Sequence, residues 1–253
     1  MWKVFQLQGK REYMEDKYIA LEGFFHDYDL YAVFDGHGGD SVAEFCRKNF
    51  ASMLYTELLE NNNIAEALFS TFMKVDEALE VPESYMTGST CLVILKNTNH
   101  MWVANCGDSR AIMNSNNNAV ELSKDHKPFG DERSRILALG GHVVQTSGGV
   151  WRVNGELALS RALGDKRLRP YVIPNPDIFK IDLSASNKFI VIGTDGLWDI
   201  LNNNKVVEII ANEYHNNNLS DKVVLIHASN KLLSYIYDDI EDNTTVILVH
   251  IRR

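Results

Sequence analysis

The chain has 253 residues, is 45% hydrophobic and carries a formal charge of −9. An acidic balance of this size argues against a nucleic-acid binder, which needs a basic face. No apolar run approaches the roughly 20 residues that span a bilayer, so no membrane association is expected. The first residues, Met1 to Gln6, contain no signal-peptide core. Cys46, Cys91 and Cys106 are sparse, odd in number and without metal-ligand spacing, which points to a reduced, intracellular protein, cytoplasmic or nuclear. No Pro- or Ser-rich linker divides the chain, and a single domain over residues 1–253 is expected, a monomer by default.

In chain order, Val4 to Gln8 reads as a first strand, and a turn from Gly9 to Asp16 leads to a second, Lys17 to Phe24. A third, Leu30 to Phe34, stops at Asp35-Gly36-His37-Gly38-Gly39. Two helices follow, from Asp40-Ser41 to about Glu60 and from Ile64 to about Val81; Ile64, Leu68, Phe72, Val75 and Leu79 share one face of the second. Gly88 to Leu95 and His100 to Asn105 read as strands, with a further one starting at Ala111 to Met113. Asp131 to Leu139 is a short helix closed by Gly140-Gly141. Lys188 to Thr194 is a strand running into Asp195-Gly196, and helices at about Asn204–His215 and Ser220–Tyr237 precede a last strand, Thr244 to Ile251. On the second of these helices Val224, Ala228, Leu232 and Tyr235 share a face. Four Asn triplets, 61–63, 116–118, 202–204 and 216–218, fall between patterned segments and read as loops. The alternation of strands and helix pairs fits two sheets packed face to face with a helix pair outside each, an α+β, four-layer α-β-β-α sandwich.

The acids follow one rule. Asp16, Asp35, Asp108, Asp195 and Asp242 each sit where a strand meets a turn, and Glu15 adjoins Asp16. If the strands on either side of Asp16 and Asp35 form a hairpin, the two acids lie at the same sheet edge; the same holds for Asp195 and Asp242. Left bare, such a cluster repels itself and raises its own pKa values. Hard divalent cations relieve this, and an all-oxygen donor set points to Mg²⁺ or Mn²⁺. Four aspartates balance two divalent ions, an arrangement that hydrolyses phosphate esters when the ions stand about 3.5–4 Å apart. His37 is placed to protonate a leaving alkoxide, the plain alternative being a turn histidine with no task. Arg11, five residues before Asp16, suits a bidentate hold on phosphate, the alternative being a solvated surface Arg.

Arg11 to Asp16 (REYMED), Val33 to Gly39 (VFDGHGG), Gly107 to Ala111 (GDSRA), Leu159 to Asp165 (LSRALGD), Thr194 to Asp199 (TDGLWD) and Asp242-Asn243 resemble, in the same order, the signature blocks of the metal-dependent Ser/Thr protein phosphatases of type 2C. The resemblance implies the sandwich fold with a metal site at one end and an activity on phosphoserine and phosphothreonine in phosphoprotein substrates. It implies in-line attack by a water or hydroxide bridging two Mg or Mn ions, without a phosphoenzyme. It also implies that Asp35 bridges the two ions, that Asp195 and Asp242 ligate one, and that the Gly36 carbonyl with Glu15 and Asp16, partly through water, holds the other. Arg11 would bind the substrate phosphate, His37 would be the general acid, and Asp108 with Asp195 resembles a weaker third-metal site. Residues of about 122–177 correspond to the flap beside the active site, compact between Asp165 and Pro174, so substrate preference does not transfer. The chain begins almost at the first block and ends just after the last strand, and the extensions of longer relatives are expected to be absent.

Two other readings compete. A catalytically inactive relative that binds phosphoproteins would be expected to lack one of Asp35, Asp195 or Asp242, and all are present. A two-metal phosphodiesterase or nuclease would want a basic groove.

Overall fold

The computed structural model describes residues 1–80, 84–214 and 220–251. The expected helix ends at Val81 and His215 and the Asn216–Asn218 triplet lie outside the described residues. The chain opens with β1 (Trp2–Leu7), β2 (Lys17–Phe25), β3 (Tyr28–Phe34) and a two-residue strand β4 (Gly36–His37), then α1 (Ser41–Glu60) and α2 (Ile64–Ala78). Next come β5 (Gly88–Ser89), β6 (Cys91–Lys96), β7 (His100–Cys106), β8 (Arg110–Ser115) and β9 (Asn118–Glu121). A less regular stretch holds α3 (Gly130–Ala138), β10 (Val143–Gln145), β11 (Trp151–Val153) and β12 (Leu163–Gly164). The last part is β13 (Asp177–Asp182), β14 (Asn187–Gly193), α4 (Asp195–Trp198), α5 (Asn203–Tyr214), α6 (Asp221–Ile236) and β15 (Thr244–His250).

Two five-stranded antiparallel sheets carry the fold, with orders β13-β7-β6-β3-β2 and β1-β15-β14-β8-β9. β3 explains the first. Its residues Leu30 to Phe34 are all fully buried, as a central strand covered on both faces must be, and so they read as an unbroken apolar run. Tyr31 and Val33 point between the sheets, where they join Leu92, Ile94 and Val103 against Ile190, Ile192 and Ile247 of the other sheet. Leu30, Ala32 and Phe34 point the other way, onto Phe50, Leu54, Leu68 and Phe72 of α1 and α2. On the far side Val191, Val246 and Leu248 meet Val207, Ile210, Leu225 and Leu232 of α5 and α6. The layers are therefore helix pair, sheet, sheet, helix pair, as the alternation of elements implied.

Phe50 is the hub of the first helix layer. It is fully buried, lies 5.3 Å from the Phe72 ring edge-on, and 6.0 Å from that of Phe34. Phe50→Ala is expected to lower unfolding stability by about 3 kcal/mol, at the low end for a buried Phe because neighbouring rings can settle inward; urea denaturation with Mn²⁺ present measures it.

Several local expectations change. Gly88 to Leu95 is not one strand: Thr90 donates its N–H to the Asp35 carbonyl at 2.9 Å, which breaks the run and sends β5 into a separate ribbon of order β12-β5-β4. Asn116 and Asn117, both with positive φ, make the two-residue turn between β8 and β9. The 202–204 triplet is only partly a loop, since Asn202 Oδ1 accepts from Lys205 N at 2.9 Å and caps α5, which starts at Asn203. Asp195 opens the short helix α4 rather than a plain turn. On α6 the buried face ends on Ile236; Tyr235 is exposed. The stretch from α3 to just past β12 has a small core of its own, built on Ile136, Val143, Val153, Leu159 and Leu168. Among the described residues no helix is long and apolar enough to cross a membrane.

Candidate active site

The site lies where one end of each sheet meets. In the β2–β3 hairpin Lys17 pairs with Phe34, so Asp16 and Asp35 flank the same rung. In the β14–β15 pair Gly193 lies opposite Val246, which brings Asp195 and Asp242 to one edge. A hydrogen-bond chain joins the sheets: Thr245 N donates to Thr194 Oγ1 at 2.9 Å, and Thr194 Oγ1 donates to Asp16 Oδ2 at 2.8 Å. Asn243 fastens the Gly9–Asp16 turn. Its Nδ2 donates to the Gln8 and Tyr13 carbonyls at 2.8 and 3.0 Å, and its Oδ1 accepts from Glu15 N at 2.7 Å. Thr90 clasps Asp35, accepting its N–H at 3.0 Å while its hydroxyl meets Ser109 Oγ at 2.7 Å, next to Asp108. Close approach demands glycine here: a Cβ on Gly36 would stand 2.8 Å from the Glu15 carbonyl oxygen, and one on Gly196 would stand 2.3 Å from that of Asn243.

The resulting field is strongly negative. Oxygens of Asp35, Asp108 and Asp195 lie within 4.8 Å of one another. Burial, then the carboxylates of Asp16, Asp195 and Asp108, push Asp35 well above the ordinary carboxylate range. Burial and Asp108 raise Asp195 to about 8, although Lys127 works against the rise. Burial raises Asp16 to about 6 despite the hydroxyls of Thr194 and Thr245. Asp16 Oδ1 is buried and has no hydrogen-bond partner, a costly condition for a carboxylate oxygen unless a cation or its water satisfies it. An orphaned buried oxygen beside crowded carboxylates, with no His or Cys donor among them, fits hard divalent cations such as Mg²⁺ or Mn²⁺.

A cleft of about 260 Å³ is lined by Arg11, Glu15, Asp35, Gly36, His37, Asp108, Asp195 and Asp242. Of the residues singled out from sequence, Asp16 alone stands behind the cleft wall, only 1% exposed. Arg11 is exposed but not idle, as its guanidinium meets Asp242 Oδ2 at 2.6 Å. His37 is held within the cleft, its Nε2 2.7 Å from Asp165 Oδ2. Burial lowers the His37 pKa, and the hydrogen bond and charge of Asp165 overcome this and leave it raised.

Sequence reasoning missed four neighbours. Lys127 pairs with Asp108, and burial of its ammonium is outweighed by Asp108 so that its pKa rises. Arg152, from β11, lines the same cleft as the acids. Thr90 and Asp165 hold Asp35 and His37. Lys127, Arg152 and Thr90 carry no local signal. Asp165 stands in a motif but 128 residues from His37, and only the ribbon joins them.

Comparison with known proteins agrees. The family model described as "Protein phosphatase 2C" matches residues 2–243. "Probable protein phosphatase 2C 3" of Paramecium tetraurelia is 37% identical over 283 aligned residues, covering 98% of this chain and 91% of its own length. "Probable protein phosphatase 2C 25" of Arabidopsis thaliana is 36% identical over 82% of this chain, which spans only 54% of that longer relative. A solved structure described as a serine-threonine phosphatase 2C from Toxoplasma gondii superposes with a TM-score of 0.80 at 23% identity, over 99% of this chain and 94% of that one. A C. elegans sex-determining protein superposes at 0.90 and 24% identity, over 100% of this chain and 65% of that one; at these identities the likeness shows the fold. Fold and acid-lined cleft are those of a metal-dependent phosphatase. The chain belongs to the protein phosphatase 2C family.

Proposed function

We propose that the protein hydrolyses phosphoserine and phosphothreonine in phosphoproteins, by in-line attack of water and without a phosphoenzyme. The observation that carries this reading is the convergence of strand-end carboxylates, one with an orphaned buried oxygen, on a cleft that also presents Arg11 and His37. When bound, two Mg or Mn ions supply a water of lowered pKa and offset the charge of the phosphoryl oxygens. Asp35 would bridge the pair, Asp195 and Asp242 would serve one ion, and the Gly36 carbonyl, Asp16 and Glu15 (through water) the other. Asp108 with Asp195 would form a weaker third site, on a flank where Lys127 already supplies one positive charge.

The chain's own groups then act on substrate. Arg11 engages two phosphate oxygens and fixes the monoester at the cleft mouth. His37 gives its proton to the departing serine or threonine oxygen. Residues of about 122–177 would form the flap of a single catalytic domain, 1–253; Arg152 and Leu157 of this stretch line the cleft, where they would border a bound peptide. The protein works as an intracellular monomer with no nucleic-acid or membrane partner.

The test is hydrolysis of a phosphothreonine peptide beside a phosphodiester, each with Mn²⁺. The reading requires monoester turnover far above diester turnover, and the reverse order would refute it. Arg11→Ala is expected to lower kcat/KM for the peptide about 10- to 100-fold, the scale of a charge-assisted pair. An unchanged value would return Arg11 to the surface.

A further inference from the structure

Of the short strands that belong to neither five-stranded sheet, three meet beside the cleft. β4, β5 and β12 form a ribbon in which Gly88 of β5 pairs with His37 on one side and with Gly164 on the other. The residue after Gly164 is Asp165, so the ribbon delivers a carboxylate to His37 across 128 residues of sequence. Asp165 is 4% exposed, and its N–H donates to the Thr87 carbonyl at 3.0 Å. Its backbone is left-handed, φ 46° and ψ 38°, a conformation that non-glycine residues adopt at a cost and that clusters at functional sites.

Gly88 adds a second, independent sign. Its own backbone is not left-handed, so conformation does not call for glycine. A Cβ there would stand 2.0 Å from Asp165 Oδ2 and 2.6 Å from His37 Nε2. What excludes a side chain at position 88 is the carboxylate–imidazole contact itself. His37 Nδ1 makes no hydrogen bond among the described residues, while the ring lines the acid-lined cleft.

From this geometry we infer that Asp165 is the positioning residue of His37: it accepts the Nε2–H, fixes the ring, and leaves Nδ1 as the nitrogen that serves substrate. The inference rests on the reading of His37 as the general acid. As the bond from phosphorus to the serine or threonine oxygen breaks, its electron pair stays on that oxygen and the Nδ1 proton moves to it. The imidazole is left neutral, with its remaining proton on Nε2 and still held by Asp165. Without the carboxylate the ring loses both its orientation and the partner that keeps Nε2–H in place.

Two readouts test this. Long-range proton–nitrogen NMR of the Mg²⁺-loaded protein, with the His37 signal assigned by its loss in His37→Gln, should find the neutral ring protonated on Nε2. In Asp165→Asn, whose amide can donate to a bare Nε2, the population should shift towards Nδ1–H. A wild-type ring protonated on Nδ1 would overturn the inference. The second readout is the ratio of kcat on a phosphothreonine peptide to kcat on nitrophenyl phosphate, whose leaving group departs without a proton. Both His37→Ala and Asp165→Asn should lower this ratio about 10²-fold, the lower end of general-acid contributions. Gly88→Ala, which removes no functional group, should lower it in the same direction, with Mn²⁺ affinity retained in all three variants. If His37→Ala lowers the ratio and Asp165→Asn does not, the positioning role fails while the general acid stands. If His37→Ala slows both substrates equally, the general-acid reading itself fails, and this inference with it.

Discussion

Asp35→Asn is expected to reduce kcat on a phosphothreonine peptide by about 10³-fold or more, above the 10²- to 10³-fold usually lost with one electrostatic donor. The size follows from position. Thr90 holds the Asp35 backbone from both sides, and the carboxylates of Asp16, Asp195, Asp108 and Asp242 all act on its charge. An amide keeps the shape but removes one negative charge and one ligating oxygen at the centre of the cluster. Mn²⁺ affinity should fall with activity. The metal-free variant should fold at least as well as the wild type at pH 8, because a self-repelling carboxylate has gone. A variant that keeps near-wild-type turnover would remove Asp35 from the site.

The metal-free protein should lose stability as pH rises from about 5 to 8, and Mn²⁺ should abolish that loss. The sign follows from linkage. Asp16 is raised to about 6 and Asp195 to about 8, with Asp35 also well above 3.8, so between these values the folded state binds more protons than the unfolded chain. Their contribution is complete below about pH 4 and is lost as pH rises through the folded values. The raised His37 acts in the same direction. Glu44, Glu132 and Asp177 are each lowered to about 2, so their losses come only in more acid solution, outside this window. A tenfold difference in proton affinity between folded and unfolded chain is worth about 1.4 kcal/mol, so the summed effect is on the order of several kcal/mol. Urea unfolding at pH 5, 6.5 and 8, in chelator and in Mn²⁺, measures it. A flat or rising metal-free profile would mean that the carboxylates are not crowded as described.

How far the sequence can be read depends on how local each signal is. Asp16 and Asp35 come together because a hairpin joins their strands directly, and strand direction then settles which ends meet. Asp195 and Asp242 need the further assumption that β14 and β15 pair, which holds, although three helices, α4 to α6, stand between them. Nothing local announces that β1 pairs with β15, Trp2 opposite Val249, and so the sheet order is not accessible from sequence. The break at Thr90 is invisible there because its cause is a hydrogen bond to Asp35, far away along the chain. Gly88 reads as an ordinary strand residue, yet what needs it is a pair formed by His37 and Asp165. The strand-end carboxylates are legible; the cations Lys127 and Arg152 and the residues that position the site largely are not. Positioning is done by Thr90, Thr194, Asn243 and Asp165 through contacts across the fold.

The most direct test of the metal-dependent site is a Mn²⁺ titration of the metal-free protein, followed at once by metal binding and by phosphothreonine-peptide hydrolysis. Two ions should bind with appreciable affinity, turnover should appear only as the second binds, and chelator should abolish it completely. Full turnover in chelator, or folded protein that binds no Mn²⁺, would contradict the site described.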